Sequence, residues 1–595
     1  MNSKIDAITT EVIRNAFYAT AEDMSAVLNR SSYSPVIYEC HDYGVSLYNE
    51  EVELLAQAPG TPYFTGGLEA AVQAVVDKFG LGNMKPGDVF AVNDTYLVGA
   101  HLNDVDIVSV YVHDGKPVAF GAIRAHWEDV GAATPGHPAG TTEIYQEGLR
   151  IPPVRIMSGG EFVTDMVDLF TLNSRTPKTL MGDLKAMVAA ARMGEKRFLG
   201  LIERFGLDVI RQATREIFEA TEAKYRAFIS SIPDGVYRAE GCNDNDSVSD
   251  DPVYAHVTVT IDGDRMTVDT TGSDRQHAGN INVGLPSTKA MAKLALAFLY
   301  PSPTPEVNHG SFATVNAIAE KGSIFWSQEP VAGMRPVPVM LLLDLILKAL
   351  APAIPERVAA GLPGDSWNWE CYGRNPDTGE FWLAGESMNG GWGASRGLDG
   401  VSAITHSVAG DFRNVPIETQ ESRCPILVKY LKLGVDTGGA GMWRGGLNTI
   451  KEFKALEDLN FQTHFERTKT PQWGLFGGHD GDIPGVTIYP PDEESPFDVL
   501  KTSGMSLKKG ARVVARTGGG GGYGNPLERD PRSVLQDLRN GYVTREAART
   551  LYGVVITDDD EPQTDVAATN ELRQTLAARS SSSSHAVRSR SSARG

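Results

Sequence analysis

Apolar residues at Ile13, Phe17, Ala21, Met24 and Leu28, with Thr20 and Val27 beside them, follow a 3.6-residue period and predict an amphipathic helix over Thr10 to Arg30. Short strand-like runs follow at Tyr43 to Tyr48 and Val52 to Ala56, then a helix from Gly67 to Phe79 that stops at Gly80. Pro86-Gly87-Asp88 turns the chain into an apolar strand, Val89 to Val92. Two long helices, Thr179 to Phe205 and Leu207 to Ile229, part at Gly206 and carry charged faces suited to solvent or subunit contact. Val257 to Ile261 and Met266 to Thr270, joined through Asp262-Gly263-Asp264, predict a hairpin. Of the helices beyond it, Ser287 to Leu299 and Val337 to Ala351, the second is apolar almost all round and is expected to be buried.

From Gly385 to Gly524 glycine is dense, including the run Gly518 to Gly522. Tight turns of a β-rich body are the first expectation, and close approach of backbone to backbone or ligand the alternative. Short helices at Pro531 to Asn540 and Thr544 to Tyr552 lead to an acidic link, Asp558 to Glu561. Ser580 to Gly595 is rich in serine and arginine, lacks an apolar period and is expected to be a disordered tail. These elements predict an α+β class: a large mixed α/β body with antiparallel hairpins, a glycine-rich β-containing C-terminal half and long surface helices. They divide into an α+β region over residues 1–230, a second, glycine-rich α+β region over 231–530, a short helical segment over 531–579 and the tail 580–595.

At 595 residues, 41% hydrophobic and 22% charged, the chain can bury several cores. A net charge of −20 opposes attraction to nucleic acid and anionic lipid. No apolar run is long enough for a membrane span, since Val339 to Leu350 is broken by Asp344 and Lys348, and Met1 to Thr10 lacks a signal-peptide core. A cytoplasmic enzyme is the resulting expectation. Cys40, Cys242, Cys371 and Cys424 are too scattered for a disulfide framework or thiolate zinc site. Cys40 beside His41 imitates a nucleophile and its base, but neighbours on a strand point to opposite faces, which favours a buried thiol.

The chemistry gathers between Asn93 and His126. Asp114-Gly115 is the preferred two-residue hairpin loop, with β-rich runs on both sides. Facing His113 with Lys116 and continuing the register places Asp104 opposite Ala125 and Asn103 opposite His126, so His101, Asp104 and His126 meet at the strand ends. Two imidazoles and a carboxylate there make a three-ligand site with open positions, as expected of catalytic zinc, manganese or non-haem iron. Asp42, Asp94, Asp106 and Asp129 are spare carboxylates able to complete the shell or orient the imidazoles. The alternative is that both histidines are ordinary polar residues at a strand edge. Glu143, Tyr145, Glu147 and Arg150 lie just beyond, suited equally to acid–base chemistry and to a solvated surface. Gly393-Ala-Ser395-Arg-Gly397 matches a nucleophile elbow by chance, because no buried strand precedes it. No phosphate loop is present: Gly518 to Gly524 lacks the following lysine and helix.

The chain resembles the hydantoinase B/oxoprolinase family, which includes N-methylhydantoinase B and the metal-bearing subunits of acetone and acetophenone carboxylases. The resemblance rests on Arg30-Ser-Ser-Tyr-Ser-Pro35, Leu55-Ala-Gln57, Pro86-Gly-Asp-Val-Phe90, Asn93-Asp94, His101-Leu-Asn-Asp104, Arg124-Ala-His126 with Asp129-Val-Gly131, and Thr142 to Pro152. It continues through Arg413-Asn414 with Pro416-Ile-Glu418, Gly438 to Gly441, Trp443 to Gly446, Trp473 to Gly478 and Gly519 to Gly524. It implies a divalent metal held by His101, Asp104 and His126 with Asp42 nearby, and ATP used by a separate hydantoinase A-type ATPase subunit, hence a hetero-oligomer. His41, Gly44 and His137 depart from the family pattern.

The resulting expectation is the metal-dependent subunit of an ATP-dependent cyclic amide hydrolase acting on a hydantoin, lactam or 5-oxoproline-like ring, with Asp129 or Glu143 as base. ATP-dependent carboxylation of a ketone, and a scaffold for the ATPase with no chemistry of its own, are the rivals.

Overall fold

The computed structural model describes residues 5–302, 306–333, 335–492 and 495–591. Its first region is built on an antiparallel seven-stranded sheet, β1 (Tyr43–Asn49), β2 (Leu54–Gln57), β3 (Val89–Val92), β4 (Asp104–His113), β5 (Lys116–His126), β6 (Val154–Ser158) and β7 (Glu161–Phe162), in the order β2-β1-β5-β4-β3-β6-β7. Both faces are covered. Residues of the helices Ala7–Ser31 and Pro177–Phe205 pack with Val105, Ile107, Tyr111 and Ile123 in one cluster, while the Pro62–Phe79 helix packs with Phe90, Val108, Val110 and Phe120 in another. Burial on two sides explains why β1 and most of β4 and β5 are continuous apolar runs with little outward polar alternation. The predicted first helix is present and extends to Ala7–Ser31, N-capped by Asp6.

The Leu207–Ile229 helix belongs to two cores: Ile210 and Ile217 pack in the first region, Tyr225 and Ile229 in the second. The second region opens with a four-stranded sheet that includes the predicted hairpin, Val253–Asp262 and Arg265–Asp269, in which Asp262 faces Arg265. The Leu285–Leu299 and Val337–Leu350 helices pack against it. Every residue of Val337–Leu350 except Lys348 is buried, as its all-round apolarity predicts, and its one buried charge, Asp344, pairs with Arg467 at 2.9 Å. Two further sheets, of four and five strands, enclose a third core around Trp367, Trp369, Phe453 and Phe461.

The glycine-rich segments correct the turn expectation in favour of its alternative. None of Gly391, Gly393, Gly445, Gly446, Gly474, Gly478 and Gly518 to Gly522 has a positive φ. They lie in non-helical, non-strand segments bonded side by side, with Gly391 N donating to Gly518 O (3.0 Å), Gly439 N to Gly520 O (2.9 Å) and Ala394 N to Gly521 O (2.8 Å). A Cβ on Gly519 or Gly522 would strike the Thr437 to Ala440 segment, one on Gly518 or Gly521 the Gln472-Trp473 segment, and one on Gly520 the Trp392 carbonyl. Neighbours recurring every third residue mark a three-fold screw like that of polyproline II, in which only glycine fits at a crowded axis.

The last described element is the helix Val566–Ser591. The expected disordered tail falls partly on this helix and partly on residues 592–595, which lie outside the described residues.

Candidate metal centre

The hairpin loop has the predicted geometry: Asp114 and Gly115 take φ of 49° and 73°, and His113 faces Lys116. The register beyond it differs from the prediction. Val112 faces Pro117, yet Tyr111 faces Ala119, so Val118 is an extra residue on β5. This bulge follows Pro117, which has no N–H to give to a ladder. It shifts every later pair by one, placing Asp104 opposite His126 and Val105 opposite Ala125. Asp104 and His126 therefore stand side by side on one face, followed two residues inward by Asp106 opposite Arg124. Arg124 is buried and bidentate on Asp106 (2.7 Å for each contact); the Pro62–Phe79 helix makes room for it with Gly67, whose Cβ would lie 2.6 Å from Arg124 Nη1.

His101 reaches the same point from a tight turn. The short Thr95–Val98 helix ends at Gly99 (φ 88°), where a Cβ would lie 2.7 Å from Ser287 N. Asp104 N then donates to His101 O at 2.9 Å. Asp42 arrives through the sheet: Tyr43 pairs with Ala125, and His126 N donates to Asp42 O at 3.1 Å. Asp104 Oδ1 lies 3.1 Å from His126 Nδ1, Asp104 Oδ2 3.4 Å from His101 Nε2, and Asp42 Oδ2 4.0 Å from His126 Nδ1. Ligands about 2.1 Å from a tetrahedral ion stand about 3.4 Å apart, close to this spacing.

The electrostatics suit a cation. Burial pushes His101 down to about 3, opposed by the Asp104 carboxylate. Burial raises Asp104, but His101 and His126 outweigh it and keep the carboxyl below its usual range. Burial also raises Asp42 to about 7, eased by His126 and reinforced by Asp104. Asp104 Oδ2 and His101 Nδ1 are buried without a hydrogen-bond partner. Imidazoles with carboxylates are the donor set of zinc, manganese or iron sites.

His137 was outside the expected ligand set, and the structure brings it in. Its ring stacks on His126 (centroids 5.0 Å, 14°) and meets His101 edge-on at 5.3 Å. One ring nitrogen from each of the three histidines lies within 4.8 Å of the others. His137 Nδ1 is bonded to Glu370 Oε1 at 2.6 Å, and its backbone N–H donates to Oε2 at 2.9 Å. No local signal marks this residue, since its partner is 233 positions away.

These groups open onto one cavity. Asp42, His101, His126 and His137 line one part of it; Tyr63, Arg335, Ser366, Glu370, Glu386 and His406 line others. Asp129 and Glu143 lie outside its lining. Asp129 is buried against Arg175 (Nη1 at 2.7 Å), and Glu143 is exposed where it caps a single 3₁₀ turn, Ile144–Gln146. Asp94 and Arg150 pair at 2.9 Å. Tyr145 hydroxyl donates to Glu329 (2.9 Å), and Glu147 accepts from Thr141 Oγ1 (2.8 Å). Burial pushes the Cys40 thiol up, and His41 Nδ1 bonds Asp411 (2.9 Å), so the Cys–His pairing does not form. Ser395 lies among the packed glycine segments, bridged to Ala359.

Fold and site together define an α+β protein with a His/Asp cluster where an antiparallel sheet ends in a deep cavity. The chain belongs to the hydantoinase B/oxoprolinase family, whose model matches residues 6–526. It is 32% identical over 596 residues to the B component of a putative D-/L-hydantoinase of Pseudomonas sp. (strain NS671), covering 96% of this chain and 98% of that one. The caprolactamase of Pseudomonas jessenii is similar twice over. Its beta chain is 30% identical over 581 residues (96% and 99% of the two chains), and the crystal structure of this ATP-dependent enzyme superposes with a TM-score of 0.88 at 29% identity, covering 96% and 100%. A nucleotide-free acetone carboxylase structure shares the fold, with a TM-score of 0.90 at 18% identity over 97% of this chain and 84% of that one.

Proposed function

We propose that this chain is the metal-bearing subunit of an ATP-dependent hydrolase of cyclic amides, working with a separate ATPase subunit. The observation that carries the reading is the meeting of His101, Asp104, His126 and Asp42 in one cluster, three of them lining the cavity and Asp104 buried behind them, in a chain matched over 96% of its length by a hydantoinase component and by the beta chain of caprolactamase. A divalent ion held by these four side chains supplies Lewis acidity toward an amide or acyl oxygen. The chain's own part is to hold the ring in the cavity, shield it from bulk water and present the carbonyl to the centre. ATP use is assigned to the partner, in keeping with relatives that are each one subunit of a larger enzyme, one of them ATP-dependent. The substrate class is a hydantoin, lactam or 5-oxoproline-like ring. Carboxylation of a ketone is the second reading, but the likeness to acetone carboxylase is one of fold.

The test is to purify the complex with its ATPase partner, measure metal by elemental analysis, and assay ATP-dependent ring opening across a panel of hydantoins and lactams. ADP release coupled to ring opening is expected. Incorporation of labelled bicarbonate into a β-keto acid would overturn the hydrolase reading. A metal-free complex that keeps full activity with His101→Ala/His126→Ala would overturn the metal reading as well.

A further inference from the structure

The loop that carries His137 is held from the far side of the cavity. Asn280 Nδ2 donates to Pro138 O at 2.7 Å, Gln462 Nε2 to Pro135 O at 2.7 Å, His464 Nε2 to His137 O, and Ala139 N to Ser503 Oγ. Glu370 is the central clamp. Its carboxylate accepts from His137 N, His137 Nδ1 and Gln462 Nε2, and it can come this close because residue 136 is glycine (φ 69°), where a Cβ would strike the carboxylate. A neutral imidazole has one N–H and one lone pair. With Nδ1 held by Glu370, Nε2 is the ring nitrogen left out of that bond, and one ring nitrogen of His137 lies within 4.8 Å of one from each of His101 and His126. Meanwhile the atoms spaced for an ion, His101 Nε2, Asp104 Oδ1 and Oδ2, and His126 Nδ1, are all supplied without His137.

We propose that His137, oriented by Glu370, is a catalytic residue on the open side of the metal centre, where its Nε2 accepts a hydrogen bond from the attacking water. This rests on the metal-centre reading above. The clamp on His137 and its loop draws on five residues between Asn280 and Ser503. Such investment in one imidazole's direction is what a group that must meet a reacting atom requires.

The test uses the full chain loaded with cobalt(II), with acetohydroxamate as the probe of the open side. In the wild type, His137→Ala and Glu370→Gln, cobalt stoichiometry is read by elemental analysis, coordination by the visible spectrum, and probe affinity by titration. Glu370→Gln keeps the shape but offers one acceptor oxygen to three donors. Both variants are expected to keep one cobalt per chain and an unchanged spectrum while binding the probe about tenfold more weakly or worse. Unchanged affinity would overturn the proposal. Loss of cobalt from His137→Ala would overturn it too, making His137 a ligand. A wild-type chain that takes up no cobalt would instead bring down the metal centre itself.

Discussion

Asp104 is fully buried between two imidazoles, with one carboxylate oxygen lacking any donor. An uncompensated buried carboxylate costs several kcal/mol, so a position like this persists where something positive completes it. His101→Ala or Asp104→Asn should therefore lower metal content at least tenfold on dialysis, as measured by elemental analysis; retention of full metal would mean that the ion, if any, is held elsewhere. A second buried carboxylate makes a pH prediction independent of the metal. Asp183 accepts the backbone N–H groups of Tyr33 (2.7 Å) and Ser34 (3.1 Å), yet burial raises it from 3.8 to about 7. A carboxyl raised on folding binds its proton more tightly in the folded state, so stability falls as pH rises from about 4 to about 7. Asp183→Asn retains an acceptor oxygen and should flatten that fall in denaturant titrations at successive pH values; an unchanged slope would show that Asp183 stays ionised. Residues of this kind differ in how visible they are. His101, Asp104 and His126 could be picked out because a hairpin loop ties them together locally, whereas Glu370 and His137 meet only through tertiary packing.

At the scale of elements, the sequence carried most helices and the hairpin loop but missed a single inserted residue. Val118 changes which residues face each other across β4 and β5, and a one-residue slip in a strand exchanges its faces. A bulge leaves no periodic mark, and proline at 117 was its one visible sign. The glycine runs were legible as places of special backbone, not as what they build, because a three-residue screw of packed chains has no hydrophobic period. Two alanine substitutions separate the roles. Gly520→Ala would drive a methyl into the Trp392 carbonyl inside the bundle and is expected to cost about 3 kcal/mol or more, or to prevent folding. Gly200, exposed within the Pro177–Phe205 helix with nothing near its missing Cβ, should gain roughly 0.5–1 kcal/mol when changed to alanine. Chemical denaturation of both variants checks this; equal effects would contradict the packed-bundle account.

Over the whole molecule, the cavity is closed by parts that the chain order separates. Asp42, His101, Asp104 and His126 come from the first sheet and its approach, while Glu370, Gln462 and His464 hold the His137 loop from the sheet that includes Asn368–Arg374 and Leu459–His464. All four proposed ligands belong to one folded unit, between residues 42 and 126, so a bound ion stabilises that unit directly and the other wall only through contact with it. Anything that binds the folded form alone stabilises it by RT ln(1 + [L]/Kd), about 4 kcal/mol when the free ion exceeds its dissociation constant a thousandfold. A chain of this size need not unfold in one step. Calorimetry after chelation should therefore show one transition displaced downward by several degrees and restored by zinc or manganese, while any transition belonging to the glycine-rich half stays in place. His101→Ala should melt like the chelated protein with or without added metal. If chelation moved every transition equally, the ion would be acting across the cavity and not within the first sheet; if it moved none, the cluster would hold no ion tightly enough to matter.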